Sequence, residues 1–367
     1  MPVTHVADIE TPAILIDLDI MERNLQRVAD YARAHSLRLR PHTKTHKIPA
    51  LARRQIDLGA AGVTVAKVGE AEVMVGADLP DLLLAYPVVG QSKLDRLMRV
   101  ARRTKLTVAL DSSWAARSLS EAAAAAGIEV GVLVEMDVGL RRVGVPPGSA
   151  VAALAQEIQS LPGLRLRGIA FYPGHIKQPD AEGEAALARL TETLSGTLAD
   201  LRAAGIDPEI VSGGSTPTLW RSHCVQGMNE IRPGTYIFND RNVWAAGGCR
   251  LEDCAASILT TVVSTSVADQ MIIDGGSKTF FSDRLVTDER AGFGYVTDAP
   301  EAFFSRMNEE HGYVELKDAS SRFRVGDRVR IIPNHICVAI NLHEQAYGIR
   351  GERVEEIWRV EARGKLQ

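Results

Sequence analysis

The stretch Val130-Gly131-Val132-Leu133-Val134-Glu135 is a short apolar run that lies between two Ala-rich stretches, residues 114–126 and 149–160. Short apolar runs separated by helical patterns indicate buried strands that alternate with helices. Six further short apolar runs share this pattern: residues 13–17, 62–65, 82–85, 106–110, 168–172 and 209–212. With the short alternating segment 37–40, they make eight predicted strands. Eight strand–helix units over roughly 250 residues predict a closed parallel (β/α)8 barrel of the TIM type, with a doubly wound open sheet as the alternative.

From about Cys249 onward the sequence changes character. Residues 257–264, 271–274 and 328–332 form short β-branched and apolar runs with Gly and Pro between them, which is typical of β-strands. We therefore predict a barrel domain over residues 1–248 and a β-rich domain over residues 249–367.

Composition favours small molecules as partners. The 367 residues carry a formal net charge of −4, with a sequence pI near 6.2, so we expect no broad attraction to nucleic acid or anionic membranes. Four scattered cysteines, at positions 224, 249, 254 and 337, do not make a disulfide framework. The N-terminus lacks the pattern of an export signal, and no apolar run could span a bilayer. We predict a cytoplasmic protein.

Several candidate site residues directly follow predicted strands: Lys44, Asp137, His175 and the Gly213-Gly214 pair. In a parallel barrel the catalytic groups stand at the C-terminal ends of the strands. The barrel geometry would therefore gather these residues at one rim.

The segment Arg40-Pro41-His42-Thr43-Lys44-Thr45-His46-Lys47 crowds two lysines, two histidines and an arginine into eight positions. Neighbouring cations lower the pKa of an amine, so a lysine here could be nucleophilic near neutral pH and form a Schiff base. A solvated basic loop or an anion-binding patch is the alternative.

The segment Gly213-Gly214-Ser215-Thr216-Pro217-Thr218 follows a predicted strand. Its glycines allow close approach of the backbone, and its hydroxyl groups offer donors to a phosphate monoester. The later segment 230–236, Glu-Ile-Arg-Pro-Gly-Thr-Tyr, could complete the same cradle. An ordinary tight turn is the alternative.

Two other rim segments carry candidate groups. In the segment 136–145, Arg141 or Arg142 places a fixed cation after a strand, able to contact a phenolate or carboxylate. In Tyr172-Pro173-Gly174-His175, a phenol and an imidazole are suited to proton transfer or to packing on an aromatic ring. Solvated surface side chains are the alternative for both segments.

His335 and Cys337 lie two positions apart in a β-rich region. Residues at this spacing project from the same face of a strand, so the two could bind one metal ion. Imidazole with thiolate points to zinc. The alternative is a buried cysteine beside a histidine, since catalytic zinc sites usually have three protein ligands.

Taken in order, the segments 40–47, 137–145, 172–175, 213–218, 232–236 and 333–337 resemble those of the D-serine dehydratase and D-threonine aldolase family. These are fold-type III enzymes that use pyridoxal 5′-phosphate (PLP). The resemblance runs from residues 8–13 into the C-terminal domain. It implies an alanine-racemase-like barrel that binds PLP, a β domain that carries the metal ligands, and a homodimer with a divalent metal.

The resemblance also implies roles for individual residues. Lys44 would hold PLP, with Arg142 near the pyridoxal oxygen and Tyr172 and His175 beside the ring or imine. The metal, with zinc favoured over manganese or magnesium, would bind His335 and Cys337. The PLP phosphate would be bound by Gly214, Ser215, Thr216, Gly234 and Tyr236.

The implied substrate is a D-3-hydroxy amino acid of the D-serine, D-threonine or D-3-hydroxyaspartate type. The His-x-Cys pair resembles the dehydratases, whereas the characterised aldolases generally have aspartate in place of the cysteine. We therefore expect dehydration by Lys44 to a 2-oxo acid and ammonia. The alternative is aldol cleavage to glycine and an aldehyde, with His175 or His42 as the base. A racemase and a noncatalytic PLP-binding protein are more distant alternatives.

Overall fold

The computed structural model describes residues 3–178, 180–316 and 323–367. The strands in these ranges are β1 Ala13–Asp17, β2 Arg38–Leu39, β3 Val63–Val65, β4 Asp81–Leu84, β5 Lys105–Leu110, β6 Val130–Met136, β7 Leu164–Phe171, β8 Ile210–Gly213, β9 Glu230–Ile231, β10 Ala256–Ser264, β11 Gln270–Ile273, β12 Gly294–Val296, β13 Phe303–Met307, β14 Gly312–Glu315, β15 Arg328–Pro333, β16 Gln345–Arg350 and β17 Arg353–Arg359. The α-helices are α1 Leu18–Ala34, α2 Pro49–Asp57, α3 Val68–Val75, α4 Gln91–Ala101, α5 Ser113–Ala126, α6 Ser149–Ser160, α7 Ala181–Ala203, α8 Arg241–Ala245, α9 Ser277–Phe280 and α10 Ile336–Ile340.

The chain divides into two compact units. We call residues 27–44, 49–234 and 364–367 the barrel unit, and residues 1–26, 45–48 and 235–363 the β unit. None of the helices in the described ranges combines the length and the hydrophobicity needed to cross a membrane.

The barrel unit contains eight parallel strands in the order β2-β9-β8-β7-β6-β5-β4-β3. Its two edge strands are joined by backbone hydrogen bonds, from Ala61 N to Leu39 O at 2.8 Å and from Thr64 N to Pro41 O at 2.7 Å. These bonds close the sheet, and closure distinguishes a barrel from a doubly wound open sheet. The predicted barrel architecture is confirmed.

One of the eight strands that form the barrel sheet differs from the prediction. β1, predicted as the first barrel strand, belongs to the β unit, where it pairs antiparallel with β10 and parallel with β16. Its place in the barrel is taken by β9. A continuous apolar run is expected for any strand that is buried on both faces, so β1 fits either sheet. β9 has only two residues and shows no periodicity.

Local sequence signals explain where a barrel helix begins and ends. The Ser112 hydroxyl accepts from the Ala115 amide at 3.3 Å and caps α5, while Gly127 ends the helix with φ of 64°, a left-handed conformation that glycine adopts without strain. The alanine run 122–126 lies inside this helix. The strands bury small and branched residues together: Leu83, Ala109, Leu133, Ala170 and Ile210 form one cluster.

The β unit contains the path β13-β14-β11-β10-β1-β16-β17, with β15 paired to β10 and β12. Apart from the parallel β1–β16 pair, its ladders are antiparallel. Its core includes Ala13 and Leu15 from β1, Leu259 from β10, and Ile349 from β16. The predicted β-rich character of the C-terminal region is therefore confirmed.

Candidate functional site

Lys44 lies in a single turn of 3₁₀ helix, Thr43–Thr45, which follows β2. The turn is fixed at its start, because the Thr43 hydroxyl donates to the Thr64 carbonyl at 3.1 Å. The His42 Nδ1 atom accepts from the Lys44 amide at 3.4 Å. The partly buried Lys44 side chain places Nζ 5.8 Å from the centre of the Tyr172 ring. The barrel thus brings together Lys44 and the phenol that was predicted for the same rim.

The cations near Lys44 in sequence have separate partners. Arg40 is buried and binds Asp81 at 2.6 Å and Glu230 at 3.0 Å. Burial lowers the pKa of Arg40, but the two carboxylates outweigh burial and raise it. Lys47 Nζ donates to the Ala362 carbonyl at 3.4 Å. Arg40 and Lys47, which lie close to Lys44 in the sequence, therefore bind different partners in the structure.

Tyr172 is close to two cationic side chains, those of Lys44 and Arg142. The Arg142 Cζ atom is 5.0 Å from the centre of the Tyr172 ring, within the range of cation–π attraction. A Cβ atom on Gly174 would overlap the Tyr172 ring, so this glycine lets the ring take its position. The phenol ring, Lys44 Nζ and the Arg142 guanidinium form one group in the barrel unit.

The loop that carries Arg142 is built on Asp137. Its Oδ1 atom accepts from the amides of Gly139 and Arg141, both at 3.0 Å. Gly144 has φ of +114°, and a Cβ atom there would overlap the backbone of Asp137, so only glycine fits without strain. These contacts explain the spacing Asp-x-Gly-x-x-Arg-x-Gly.

His175 is exposed and stands beside this loop. A Cβ atom on Gly139 would lie 3.3 Å from its imidazole ring. His175 also lines an open cavity of about 300 Å³, whose walls include Val138, Lys177 and Arg189. The position allows His175 to exchange protons with a solvent-accessible molecule.

The loop after β8 fits a phosphate group. Gly214 has φ of +80°, and Ser215 and Thr216 are buried. Within the described ranges, the amides of Gly214, Ser215 and Thr216 donate to no protein acceptor. Buried amides without partners are costly unless a ligand satisfies them. The loop therefore has the free donors that an anion cradle needs. In PLP, the phosphate is the group that needs the most hydrogen-bond donors.

The other two predicted phosphate ligands follow β9. Gly234 belongs to the barrel unit, and its backbone is partly buried. Tyr236 belongs to the β unit, where its side chain is buried.

His335 and Cys337 come together in the β unit by a different geometry from the one predicted. β15 ends at Pro333, and His335 is the residue that precedes α10, which contains Cys337. The two residues therefore do not project from one strand face, as predicted, but their side chains interact electrostatically. Cys337 Sγ also lies 3.2 Å from Thr45 Oγ1.

Asp240 fixes the other side of the His335 ring. Its Oδ2 atom accepts from His335 Nδ1 at 3.0 Å and from the Ile336 amide at 3.1 Å. Burial lowers the pKa of His335, but Cys337 and Asp240 outweigh burial and raise it well above its usual value. Burial raises the pKa of Cys337, but His335 and Thr45 outweigh burial and lower it. The two directions describe an imidazolium–thiolate pair, and a metal that binds here would have to displace the imidazole proton.

The chemistry of this donor pair fits a divalent metal such as zinc. Within residues 3–178, 180–316 and 323–367, no group of three or more His, Cys, Asp and Glu side chains is arranged to hold a metal. His335 and Cys337 would be two of the ligands of such a metal.

Three buried charged residues near these groups were not assigned roles from the sequence: Asp240, Glu135 and Arg232. Asp240 lies in no motif, and its one signal is its position before a short helix. Glu135 is an acidic residue at the end of an apolar run, which is a detectable anomaly. Arg232 lies in the segment 230–236, but in that segment only Gly234 and Tyr236 were predicted to bind the phosphate.

Two protein families match consecutive parts of the chain. Residues 16–242 match the family described as alanine racemase, N-terminal domain, and residues 255–349 match the putative serine dehydratase domain. The chain belongs to the D-serine dehydratase and D-threonine aldolase family. Its predicted family is therefore confirmed.

Members of this family resemble the chain over nearly its whole length. The D-threonine aldolase of Arthrobacter sp. is 33% identical, covering 99% of this chain and 95% of that enzyme. The solved D-threonine aldolase of Filomicrobium marinum is 36% identical with a TM-score of 0.93, covering 99% and 98%. The D-threo-3-hydroxyaspartate dehydratase of Delftia sp. is 34% identical, covering 90% and 91%.

Two solved variants of a D-threo-3-hydroxyaspartate dehydratase replace a histidine and a cysteine that are two positions apart. The histidine variant is 30% identical to this chain, with a TM-score of 0.88 and coverage of 97% and 96%. The cysteine variant, described as a metal-free form, is 30% identical with a TM-score of 0.86 and coverage of 97% and 98%.

Proposed function

We propose that this protein is a lyase that uses PLP and a divalent metal to dehydrate D-3-hydroxy amino acids to 2-oxo acids and ammonia. The observation that carries the proposal is the His335–Cys337 pair, whose imidazole is held by Asp240 at 3.0 Å and whose sulfur lies 3.2 Å from Thr45 Oγ1. The same His-x-Cys spacing separates the two residues that are replaced in the solved D-threo-3-hydroxyaspartate dehydratase variants. We also propose that the protein works as a homodimer.

The barrel unit would hold PLP. Lys44 Nζ would carry the cofactor, the free amides of residues 214–216 would bind its phosphate, and Arg142 would contact the pyridoxal oxygen. Gly234 and Tyr236 are the further proposed phosphate ligands. When bound, PLP supplies an electron sink that stabilises negative charge at the substrate Cα.

The β unit would hold the metal on His335 and Cys337. When bound, the metal supplies a Lewis acid for an alcohol oxygen. Lys44 Nζ, once the substrate amine has released it from the cofactor, would accept the Cα proton as general base. Tyr172 limits the positions open to Lys44, since its ring stands 5.8 Å from Nζ.

Aldol cleavage is the second candidate. It is favoured by the similarity to D-threonine aldolases, which includes 36% identity and a TM-score of 0.93 for the Filomicrobium marinum enzyme. In that reaction the proton comes from the 3-hydroxyl oxygen. His175, which is exposed at the rim, or His42 would accept it.

Product analysis with D-threonine tests the proposal. Dehydration gives 2-oxobutanoate and ammonia, whereas cleavage gives glycine and acetaldehyde. L-threonine is the stereochemical control and should give neither pair. Formation of L-allo-threonine without ammonia or glycine would indicate inversion at Cα, as in a racemase, and would contradict both candidates.

The role of Lys44 can be tested in the same preparation. Borohydride reduction followed by peptide mapping should label Lys44, and Lys44→Ala should lose the visible absorbance of bound cofactor and all turnover. Lys67→Ala is the matched control, because Lys67 also follows a barrel strand but stacks on Tyr86, 3.7 Å from its ring centre. Labelling of Lys67, or of no lysine, would refute the proposal.

A further inference from the structure

Residues 281–293, between α9 and β12, contain no helix or strand, and we call them the 281–293 loop. Most of its residues are exposed, including Arg284 and Arg290. A long connection of this kind inside a compact unit usually serves a function or lacks order. This loop is held in place by hydrogen bonds from two other segments of the β unit.

Asn334 holds the loop near both of its ends through one amide group. The side chain is buried, and its Nδ2 donates to the Asp283 carbonyl at 3.0 Å and to the Gly292 carbonyl at 2.8 Å. Its Oδ1 accepts from Arg241 Nη1 at 3.2 Å. A carbonyl only accepts and a guanidinium only donates, so these partners fix the orientation of the amide. Both N–H groups of the Asn334 amide are therefore committed to the loop.

The start of α8 holds the same loop. Arg241 Nη1 also donates to the Ala291 carbonyl at 2.6 Å. Asn242 Oδ1 accepts from the Val286 amide at 2.7 Å, and the Asn242 amide donates to the Asn334 carbonyl at 3.1 Å. The loop is thus attached to two segments that are also attached to each other.

The same two segments carry the proposed metal site. Asn334 directly precedes His335 in the sequence, and Arg241 directly follows Asp240. The Asp240 carboxylate holds the His335 ring at 3.0 Å. A metal on His335 and Cys337 would restrain the backbone next to Asn334, because metal binding orders the segment that supplies the ligands.

We propose that Asn334 is a positioning residue that couples the 281–293 loop to metal binding at His335 and Cys337. The inference rests on the proposed function, because it concerns the metal ligands assigned there. With the metal bound, the loop opens only by breaking both bonds from the Asn334 amide. Without the metal, Asn334 can move with the loop, and the loop opens more readily. Such coupling is reciprocal, so loss of the loop contacts should also weaken metal binding.

Limited digestion of the intact chain with trypsin measures this opening. Trypsin cleaves after arginine, and the loop exposes Arg284 and Arg290. Cleavage requires the segment to open locally, so its rate reports how often the loop is released. Mass spectrometry follows the two cuts in the presence of PLP, with zinc added or with zinc removed by a chelator. We expect zinc to slow both cuts in the parent protein by about tenfold.

Two variants remove the bonds from Asn334 to the loop. Asn334→Leu removes the whole amide, so the loop should be cut faster and zinc should no longer slow the cuts. Its zinc affinity, measured by competition against a chelator, should fall by about tenfold. Asn334→Asp keeps an acceptor for Arg241 but has no N–H group for the loop, and it should also lose the effect of zinc on cleavage. It serves as the second variant if Asn334→Leu does not fold.

Asn24→Leu is the matched control. Asn24 is also a buried residue of the β unit, and its Nδ2 also donates to two carbonyls, those of Ile237 at 3.4 Å and Asp253 at 2.8 Å. The substitution therefore removes an equivalent pair of bonds that do not involve the loop. Zinc should slow the cuts after Arg284 and Arg290 in this variant as it does in the parent protein.

The outcomes separate the inference from the proposed function. A parent protein that binds no zinc, or binds it equally well after His335→Ala, refutes the proposed metal site and the inference together. Zinc that binds without slowing the cuts in the parent refutes the inference alone. So does a zinc effect that persists in Asn334→Leu and Asn334→Asp. Loss of the zinc effect in Asn24→Leu as well would indicate general destabilisation and would also overturn the inference. Thermal unfolding of each variant verifies that the proteins compared are folded.

Discussion

Asp240 is fully buried, and both of its carboxylate oxygens have fixed partners. Oδ1 accepts from the Val243 amide at 3.0 Å and caps α8, while Oδ2 holds His335 Nδ1 and the Ile336 amide. With Nδ1 engaged, Nε2 is the nitrogen that remains for a metal. A carboxylate behind a ligating histidine fixes the ring and strengthens it as a ligand.

We therefore expect Asp240→Asn to lower the affinity for zinc by about 10- to 100-fold. Asparagine still caps a helix, so the fold should be retained. Competition against a metal chelator measures the affinity. Asp180→Asn is the control, since Asp180 caps α7 by accepting from the Gly183 amide at 2.8 Å and, among the residues that the structure describes, makes no hydrogen bond to a histidine. Unchanged zinc affinity in Asp240→Asn would show that the carboxylate serves only the helix.

At the scale of single elements, β7 shows how a bulge places a buried charge. The pairing of β7 with β6 shifts register so that Val132 pairs with Leu166 and Leu133 with Gly168. The intervening Arg167 is buried, where it donates to Thr107 Oγ1 at 3.1 Å and Glu209 Oε1 at 2.6 Å. Gly168 has φ of +144°, and a Cβ atom there would overlap the Ile210 backbone.

Gly168→Ala should therefore lower the free energy of unfolding by at least about 3 kcal/mol, because backbone atoms of β7 or β8 must move. Gly196→Ala is the matched substitution. It lies on the exposed face of α7 with open space around it, and should raise the free energy of unfolding by about 0.5–1 kcal/mol. Urea unfolding measures both. Similar effects at the two positions would contradict the role assigned to the bulge.

The elements that the sequence predicted well are those with a strong local signal. Seven of the eight runs predicted as barrel strands contain strands of the barrel sheet. The exception is β1, because burial on both faces produces the same apolar run in either sheet. β9 contains too few residues to show a pattern. Strand pairing depends on distant partners, which a local pattern does not reveal.

The residues of the candidate site also fall into two groups, those that the sequence indicated and those that it did not. Glycine spacing in the segment 137–144 reflects backbone geometry and was visible in the sequence. The contact between His335 and Cys337 was also anticipated, but from a strand face that the structure replaces with the start of α10. Asp240 and Glu135 were not identified, since a single acidic residue acquires its meaning only from partners brought by folding. The roles of the site residues stay predictions.

At the scale of the whole molecule, acid should weaken the β unit through His343. Burial lowers the pKa of this histidine to about 4, Arg363 adds to the effect, and the Thr279 carbonyl, 3.2 Å from Nε2, partly opposes it. The folded state therefore favours the neutral ring, while the unfolded chain protonates near pH 6.5. This contribution is complete above pH 6.5 and is lost as the pH falls from 6.5 to about 4.

We expect the parent protein to lose about 2 kcal/mol of stability through this residue between about pH 7 and about pH 5. His343→Gln can still donate to the Thr279 carbonyl but does not titrate, so its stability should depend less on pH. The exposed His311, replaced by Gln, is the control. Urea unfolding at the two pH values measures the difference. Identical pH dependence in the parent and His343→Gln would exclude His343 as the source.

Because β1 belongs to the sheet of the β unit, it must wait for its partner strands while the chain is synthesised on the ribosome. The partners of this apolar strand, β10 and β16, begin at residues 256 and 345. Every strand of the barrel sheet is translated before the first of these partners leaves the exit tunnel. Domains fold as units while translation proceeds. The nascent chain therefore carries Ala13–Asp17 without its native neighbours for most of its elongation, and this segment is where a chaperone would have the longest opportunity to bind.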